Sequence, residues 1–153
     1  MAVHEKQQIQ FATFWIQELL FGIRVAEVQE VLLDQPMTPI PLAPRAVLGL
    51  LNLRGQIATA VDLPAMLSQM QEPDDGSGKN VIVRLDLELV SLRVGRIGGV
   101  IEVLPTQARP HADGIQGPVK DLIAGMYELG GTVMLWLDTE AAVKIAWGEA
   151  HAS

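Results

Sequence analysis

The chain has no cysteine, so disulfides, thiolate nucleophiles and cysteine-bound metals have no place in its chemistry. Basic residues are also scarce. Eleven Lys and Arg stand against eighteen Asp and Glu, a formal charge of −7, and the basic ones occur singly. Nucleic-acid binders draw much of their affinity from basic stripes that neutralise phosphates. Nothing of that kind is present, so neither nucleic acid nor an anionic membrane surface is expected as a partner. No apolar run approaches the roughly 18–20 residues of a membrane span. The stretch Met1 to Gln8 lacks the apolar core of a signal peptide. Together these absences point to a cytoplasmic protein with no direct membrane insertion.

Catalytic groups are missing as well. The three histidines, His4, His111 and His151, lie near a terminus or in a loop and not at ligand spacing, so no metal site is expected. Asp74-Asp75-Gly76 lacks the alternating acids and terminal glutamate of a calcium loop. Gly95-Arg96-Ile97-Gly98-Gly99 is glycine-rich but is not followed by the lysine-hydroxyl pair of a phosphate loop. No serine or threonine has an obvious histidine partner. The composition therefore reads as a non-enzyme without cofactor.

What is present is core material. Hydrophobic residues make up 49% of the 153, and mean hydropathy is +0.26, enough to bury one domain or two small units sharing a core. Ile9–Ile16 and Leu19–Arg24 have strand composition, with a turn at Gln17-Glu18. Val25, Val28 and Val31-Leu32 recur at spacings of three and four, which predicts a short amphipathic helix or helix-like turn. Prolines 36, 39, 41 and 44 enforce an extended connection. A hairpin over 49–62 follows, reversing at Arg54-Gly55. Asp62 is placed to cap a short helix over Leu63–Leu67. Residues 71–80 read as a polar surface loop. Beyond it come strands at Val81–Leu85 and Leu89–Val94, an apolar series at Val94, Ile97, Val100 and Val103, and an irregular connection from Pro105 to Pro118. A last hairpin leads to Asp138, which is placed to cap a helix over Thr139–Trp147.

Two of these segments repeat. Residues 49–62 align without a gap with 125–138, pairing Gly49 with Gly125, Leu53 with Leu129, Gly55 with Gly131 and Asp62 with Asp138. Arg24-Val-x-x-Val-x-x-Val31 likewise matches Arg93-Val-x-x-Ile-x-x-Val100. Matched segments in the same order predict a tandem unit. Short strands at this density suggest a small barrel in each, which removes exposed sheet edges. The fold class expected is mainly β, with two tandem five-stranded β-barrel subdomains sharing a hydrophobic core and a few short helices. One domain covers 9–150, with subdomain 1 over roughly 20–75 and subdomain 2 over roughly 80–137. The N-terminal strand and the C-terminal helix pack across them.

Several stretches now resemble the CheW family of chemotaxis coupling proteins. They are Phe11-Ala12-Thr13-Phe14 through Phe21-Gly22-Ile23, Val28-Gln29-Glu30-Val31, Thr38-Pro39-Ile40-Pro41-Leu42-Ala43-Pro44, and above all Gly49-Leu50-Leu51-Asn52-Leu53-Arg54-Gly55-Gln56-Ile57 running into Val61-Asp62-Leu63. Weaker similarity continues through Val94–Val103 and the second hairpin. The resemblance implies a non-catalytic adaptor that couples chemoreceptors (methyl-accepting chemotaxis proteins) to a CheA-type histidine kinase, and a pair of SH3-like barrels. It also implies recruitment to membrane-associated receptor arrays. The implied partners are the regulatory domain of the kinase and the helical hairpin tip of a receptor's cytoplasmic part. By position, Val28, Glu30, Val31 and Arg54 match the family's receptor-binding groove, while no residue is assigned to the kinase contact. Gly95 departs from the aspartate usual in the family's Val-Asp-x-Val, and Ala58-Thr59-Ala60 replaces a common Val-Pro-Ile/Val.

Two readings stand for these residues. Val28 and Val31 are either core of an amphipathic turn or apolar anchors for a partner. Glu30 is either a solvated face or a register-setting charge, and Asn52 either bonds locally or faces a partner. Arg54 has an internal comparison, because Gly130 fills the same register in the second hairpin. A long, permanent cation present in one repeat only fits a partner better than the turn. The competing class is a small-molecule or lipid carrier using a barrel interior. Barrels of about eight strands can hold one ligand, whereas five-stranded units are filled by their own side chains.

Overall fold

A computed structural model describes residues 8–67, 78–109, 115 and 117–148. Strands β1 (Ile9–Ile16) and β2 (Leu19–Arg24) form a hairpin, and a 3-10 turn over Val25–Glu27 leads into β3 (Val28–Leu33). Next come β4 (Val47–Leu53), β5 (Gln56–Asp62) and helix α1 (Leu63–Leu67). The order then recurs as β6 (Lys79–Leu85), β7 (Glu88–Val94), β8 (Arg96–Val103), the two-residue β9 (Ala108–Arg109), β10 (Ile123–Glu128), β11 (Val133–Leu137) and helix α2 (Thr139–Ala146).

The helix-like reading of residues 25–32 holds only over the 3-10 turn Val25–Glu27 and is corrected beyond it. From Val28 onward the chain is strand, paired antiparallel to β6. Val31 and its β-branched neighbours fit a pleated surface better than a helical turn, and β6 offers an edge to pair with. The predicted loop also ends earlier than expected. Lys79 and Asn80 belong to β6, and Asn80 is fully buried, accepting from Ser91 Oγ at 3.2 Å and donating to the Leu33 carbonyl at 3.3 Å. Residues 71–77, with Asp74-Asp75-Gly76, and His4, His111 and His151 lie outside the described residues.

The repeat is present in the backbone itself. Each second hairpin carries a bulge at the same register, between Val47 and Gly49 in one and between Ile123 and Gly125 in the other. Each then ends in the same two contacts. Asp62 N donates to the Ala46 carbonyl and Asp138 N to the Leu122 carbonyl, both at 2.8 Å. The Asp62 carboxylate accepts from Ala65 N at 3.3 Å and that of Asp138 from Ala141 N at 3.0 Å. Both helices therefore start on an aspartate cap that satisfies an otherwise unpaired N–H.

The strands assort into a five-stranded sheet, ordered β3-β6-β7-β5-β4, and a six-stranded one, ordered β8-β1-β2-β11-β10-β9. The sixth strand, beyond the five expected, is the short β9. The repeats exchange their first hairpins. The β6–β7 hairpin completes the sheet of β3–β5 through a parallel β5–β7 pair, and β1–β2 completes that of β8–β11 through a parallel β11–β2 pair. Residues 20–75 and 80–137 therefore each contribute strands to both sheets.

Exchange gives four strands two buried faces. In β6 and β7, Ile82 and Leu89 face inward with Leu51, Leu53, Ala58 and Ala60. On the other face Val81, Val83, Val90 and Leu92 meet Phe14, Ile16, Phe21 and Ile23 of β1 and β2 in one shared core. The inner faces of β1 and β2 join Val103, Tyr127 and Met134 through Phe11 and Leu20. Burial on both faces is the reason these strands read as near-continuous apolar runs and not as alternation.

Both sheets must roll. Thr38, five residues after Leu33 at the end of β3, pairs with Leu50 on β4 at the opposite edge, through bonds of 2.9 and 2.8 Å. Five residues reach at most about 18 Å, while five inter-strand spacings of a flat sheet span about 24 Å. The same argument holds for β8 and β9, which lie at opposite edges of the larger sheet and are separated by only Leu104 to Gln107.

Gly49 makes the first closure possible. Its φ is +145°, and a Cβ there would sit 2.5 Å from the Thr38 carbonyl oxygen. At Gly55, φ is +88° but the space around it is open. Gly49→Ala should cost at least about 2 kcal/mol of unfolding free energy, and Gly55→Ala about 1 kcal/mol. Chemical denaturation of the two variants checks this, and equal losses would remove Gly49 from the closure.

Candidate functional site

The four residues singled out by the sequence fall around this closure. On β3, Gln29 is the extra residue of a bulge, so Val28 pairs with Val83 but Glu30 with Ile82. Val28 and Val31 thereby share one face and Glu30 and Leu32 the other. Val28 packs against the shared core. Val31, beyond it on the same face, is 45% exposed, and Leu33 is 65% exposed. Val28 therefore has a packing role, while Val31 and Leu33 form a small apolar strip open to solvent.

Arg54 sits at the tip of the β4–β5 hairpin. Its φ is 52° and that of Gly55 is 88°, and positive φ at both central residues marks a type I′ turn matched to strand twist. Asn52 settles on the local reading, because its Oδ1 accepts from Gly55 N at 3.0 Å. The Arg54 guanidinium donates to the Glu30 carboxylate. The two residues come from opposite edges of the five-stranded sheet, so the roll alone brings them together. The Arg54 side chain is 73% exposed and that of Glu30 22%. On the neighbouring strand Arg84 Nη2 donates to Gln29 Oε1 at 2.8 Å, adding polar contacts to the same rim.

Sequence reasoning did not foresee the Glu30–Arg54 contact or the exposure of Leu33. One signal for the pair was available. Glu30 aligns with Gly99 and Arg54 with Gly130, at the two offsets of the repeat. Both members are thus replaced by glycine together, with Gly99 at φ +92° and Gly130 at φ +74°. The six-stranded sheet is tied differently at its edge, where Arg109 meets Glu128 at 2.7 Å. The Arg109 guanidinium holds the Glu128 carboxyl below its ordinary range, with help from the Gly131 backbone.

The site offers an exposed ion pair beside an apolar strip. Among the described residues no three His, Asp or Glu side chains are grouped to hold a metal ion, and no helix is long and apolar enough to cross a membrane. The inside of the five-stranded sheet is filled by its own side chains, which leaves a carrier reading without support. Two rolled sheets with exchanged hairpins present the Glu30–Arg54 pair and the Val31–Leu33 strip at the surface.

Comparison with known proteins agrees. A family model described as a CheW-like domain matches residues 10–146. The chemotaxis protein CheW of Treponema pallidum (strain Nichols) is 30% identical over 142 residues, covering 90% of this chain and 83% of that protein. The CheW of Klebsiella aerogenes is 24% identical over 131 residues, covering 86% and 79% respectively. In fold, the crystal structure of the scaffolding protein TtCheW from Thermoanaerobacter tengcongensis matches with a TM-score of 0.78 at 21% identity, over 86% of this chain and 90% of that one. The chain belongs to the CheW-like family. It is a non-catalytic adaptor of chemotaxis-type signalling, acting between chemoreceptors and a CheA-type histidine kinase.

One departure from the family pattern has a local cause. A Cβ at Gly95 would lie 2.4 Å from the Trp15 carbonyl oxygen, so an aspartate here would require β1 to move away.

An exposed ion pair contributes about 0–1 kcal/mol to stability. Arg54→Gly removes that contribution together with the strain of a non-glycine residue at positive φ, which is of similar size. Unfolding free energy should stay within about 1 kcal/mol of the parent, and a double-mutant cycle with Glu30→Ala should return a small coupling. A coupling of several kcal/mol would make the pair a structural lock.

Proposed function

We propose that the closure of the five-stranded sheet is the receptor-facing surface of this adaptor. Val31, joined by Leu33, supplies apolar contact to the helical hairpin tip of a chemoreceptor. Glu30 and Arg54 set its register through charge. Val28 supports Val31 from the core side. The adaptor acts in the cytoplasm as one unit over residues 9–150 and is recruited to membrane-associated receptor arrays. It meets the regulatory domain of the kinase through other parts of the two barrels.

The observation carrying this reading is the energetic position of Arg54. The left-handed backbone costs a non-glycine residue about 1–2 kcal/mol, and the exposed pair with Glu30 returns about as much or less. The fold gains nothing net from Arg54, and the second repeat builds the same turn from glycines. The remaining use for a half-committed cation on a rim, beside an open apolar strip, is to meet a partner.

The test is reconstitution with the same organism's CheA-like kinase and a receptor cytoplasmic fragment. The parent chain should co-purify with both and couple receptor to kinase activity. Arg54→Glu and Val31→Glu should weaken receptor coupling by about tenfold or more while leaving the melting temperature nearly unchanged. Full coupling by both variants would move the receptor contact elsewhere, and binding to neither partner would defeat the adaptor reading itself.

A further inference from the structure

A second surface shares its end of the five-stranded sheet with the Arg54-Gly55 turn, but faces helix α2. A cleft of about 720 Å³ opens between the outer face of the five-stranded sheet, the β6–β7 turn and helix α2. The sheet contributes Thr59 and Val90, the turn Leu85 to Glu88, and the helix Glu140, Val143, Lys144 and Trp147. The helical residues are spaced i, i+3, i+4 and i+7, so they form one stripe along α2. The helix buries another side, through Thr139, Ala142 and Ala146. The stripe along the cleft is thus not the face that anchors the helix most deeply.

The internal repeat again separates what the fold needs from what it does not. The β1–β2 and β6–β7 turns are equivalent two-residue reversals, with Gln17 at φ 56° and Asp86 at φ 50°. At the next position the first repeat has Glu18 and the second has Leu87, which is 98% exposed. The turn does not require leucine, and a fully solvated leucine contributes nothing to the core. On the sheet, Thr59 is partly exposed where its counterpart Leu135 is 4% exposed within the shared core.

Charge supplies the chemistry of the occupant. Among the described residues, Asp86, Glu88 and Glu140 line the cleft against one cation, Lys144, which lies 3.3 Å from Glu140. This described lining is net negative, with Val90, Val143 and Trp147 as its apolar part.

We infer that this cleft docks a basic amphipathic helix of a partner protein, its apolar side chains seated beside Val143, Trp147 and Leu87 and its Lys or Arg residues facing Asp86, Glu88 and Glu140. The inference does not rest on the receptor-facing role of Arg54 and is tested on the chain alone.

The probe is a short Leu/Lys peptide patterned as an amphipathic helix, compared by titration calorimetry with a scrambled peptide of the same composition. The patterned peptide should bind one per chain and the scrambled one much more weakly. Leu87→Glu, which copies the residue of the other repeat, should lower affinity by about tenfold despite adding a negative charge. Glu88→Gln should weaken binding less, and thermal melts should show both variants folded. Absence of binding, equal binding of the two peptides, or undiminished binding by Leu87→Glu would each overturn the proposal, the last two as simple attraction to a chain of charge −7. Self-association in sedimentation that Leu87→Glu abolishes would overturn it too, by giving the cleft to a second copy.

Discussion

The roll of the five-stranded sheet governs both its core and its recognition rim. Glu30 stands on one edge strand and Arg54 in the turn that ends the opposite edge strand, and a flat sheet would hold them far apart. The chain makes the sheet roll by allowing only a short span between the end of β3 and Thr38, which bonds the far edge at Leu50. Gly49 lets that span come close, because its missing Cβ leaves room for the Thr38 carbonyl. The same roll encloses Leu51, Ala58, Ala60 and Ile82, so closing the rim and filling the interior are one event.

Because the chain contains its own second copy, equivalent positions act as mutual controls. Where both repeats agree, as at Asp62 and Asp138 or at the two bulges, the fold is the cause. Where they differ outside the buried core, packing does not dictate the difference and another cause is needed. Glu30 with Arg54 against Gly99 with Gly130 is one such difference, and Leu87 against Glu18 is another. Buried differences follow packing instead. Asn80 and Ser91 hydrogen-bond inside one sheet where Phe11 and Gly22 occupy the other, and a Cβ on Gly22 would sit 2.4 Å from Met134 Sδ.

Much of this was legible in the residues. The hairpins, their turns, the aspartate caps and the tandem order follow from local chemistry, since glycine placement, capping carboxylates and apolar patterning act over a few residues. The strand β3 was misread because Val25, Val28 and Val31 happen to fall at helical spacing. The bulge at Gln29 breaks the simple alternation that would have revealed a strand. The exchange of hairpins was not legible. Parallel pairing of β5 with β7 and of β11 with β2 is decided by which apolar faces find cover, a property of the whole assembly and not of any segment. The Glu30–Arg54 contact was hidden for the same reason, although the paired glycines of the second repeat mark it once the repeat is known.

Exchange also bears on what an adaptor must do. If each repeat formed its own sheet, the two units could shift against each other about a linker, and a contact at one would say little about the other. Here the hairpin that completes each sheet is covalently part of the opposite repeat. Its outer face is at the same time half of the shared core, through Phe14, Phe21, Val83 and Leu92. Displacing either sheet would break strand pairing within it and unpack the core between the two. A protein that holds partners in fixed relation needs such stiffness more than it needs a catalytic group, and this chain obtains it by passing strands between its repeats.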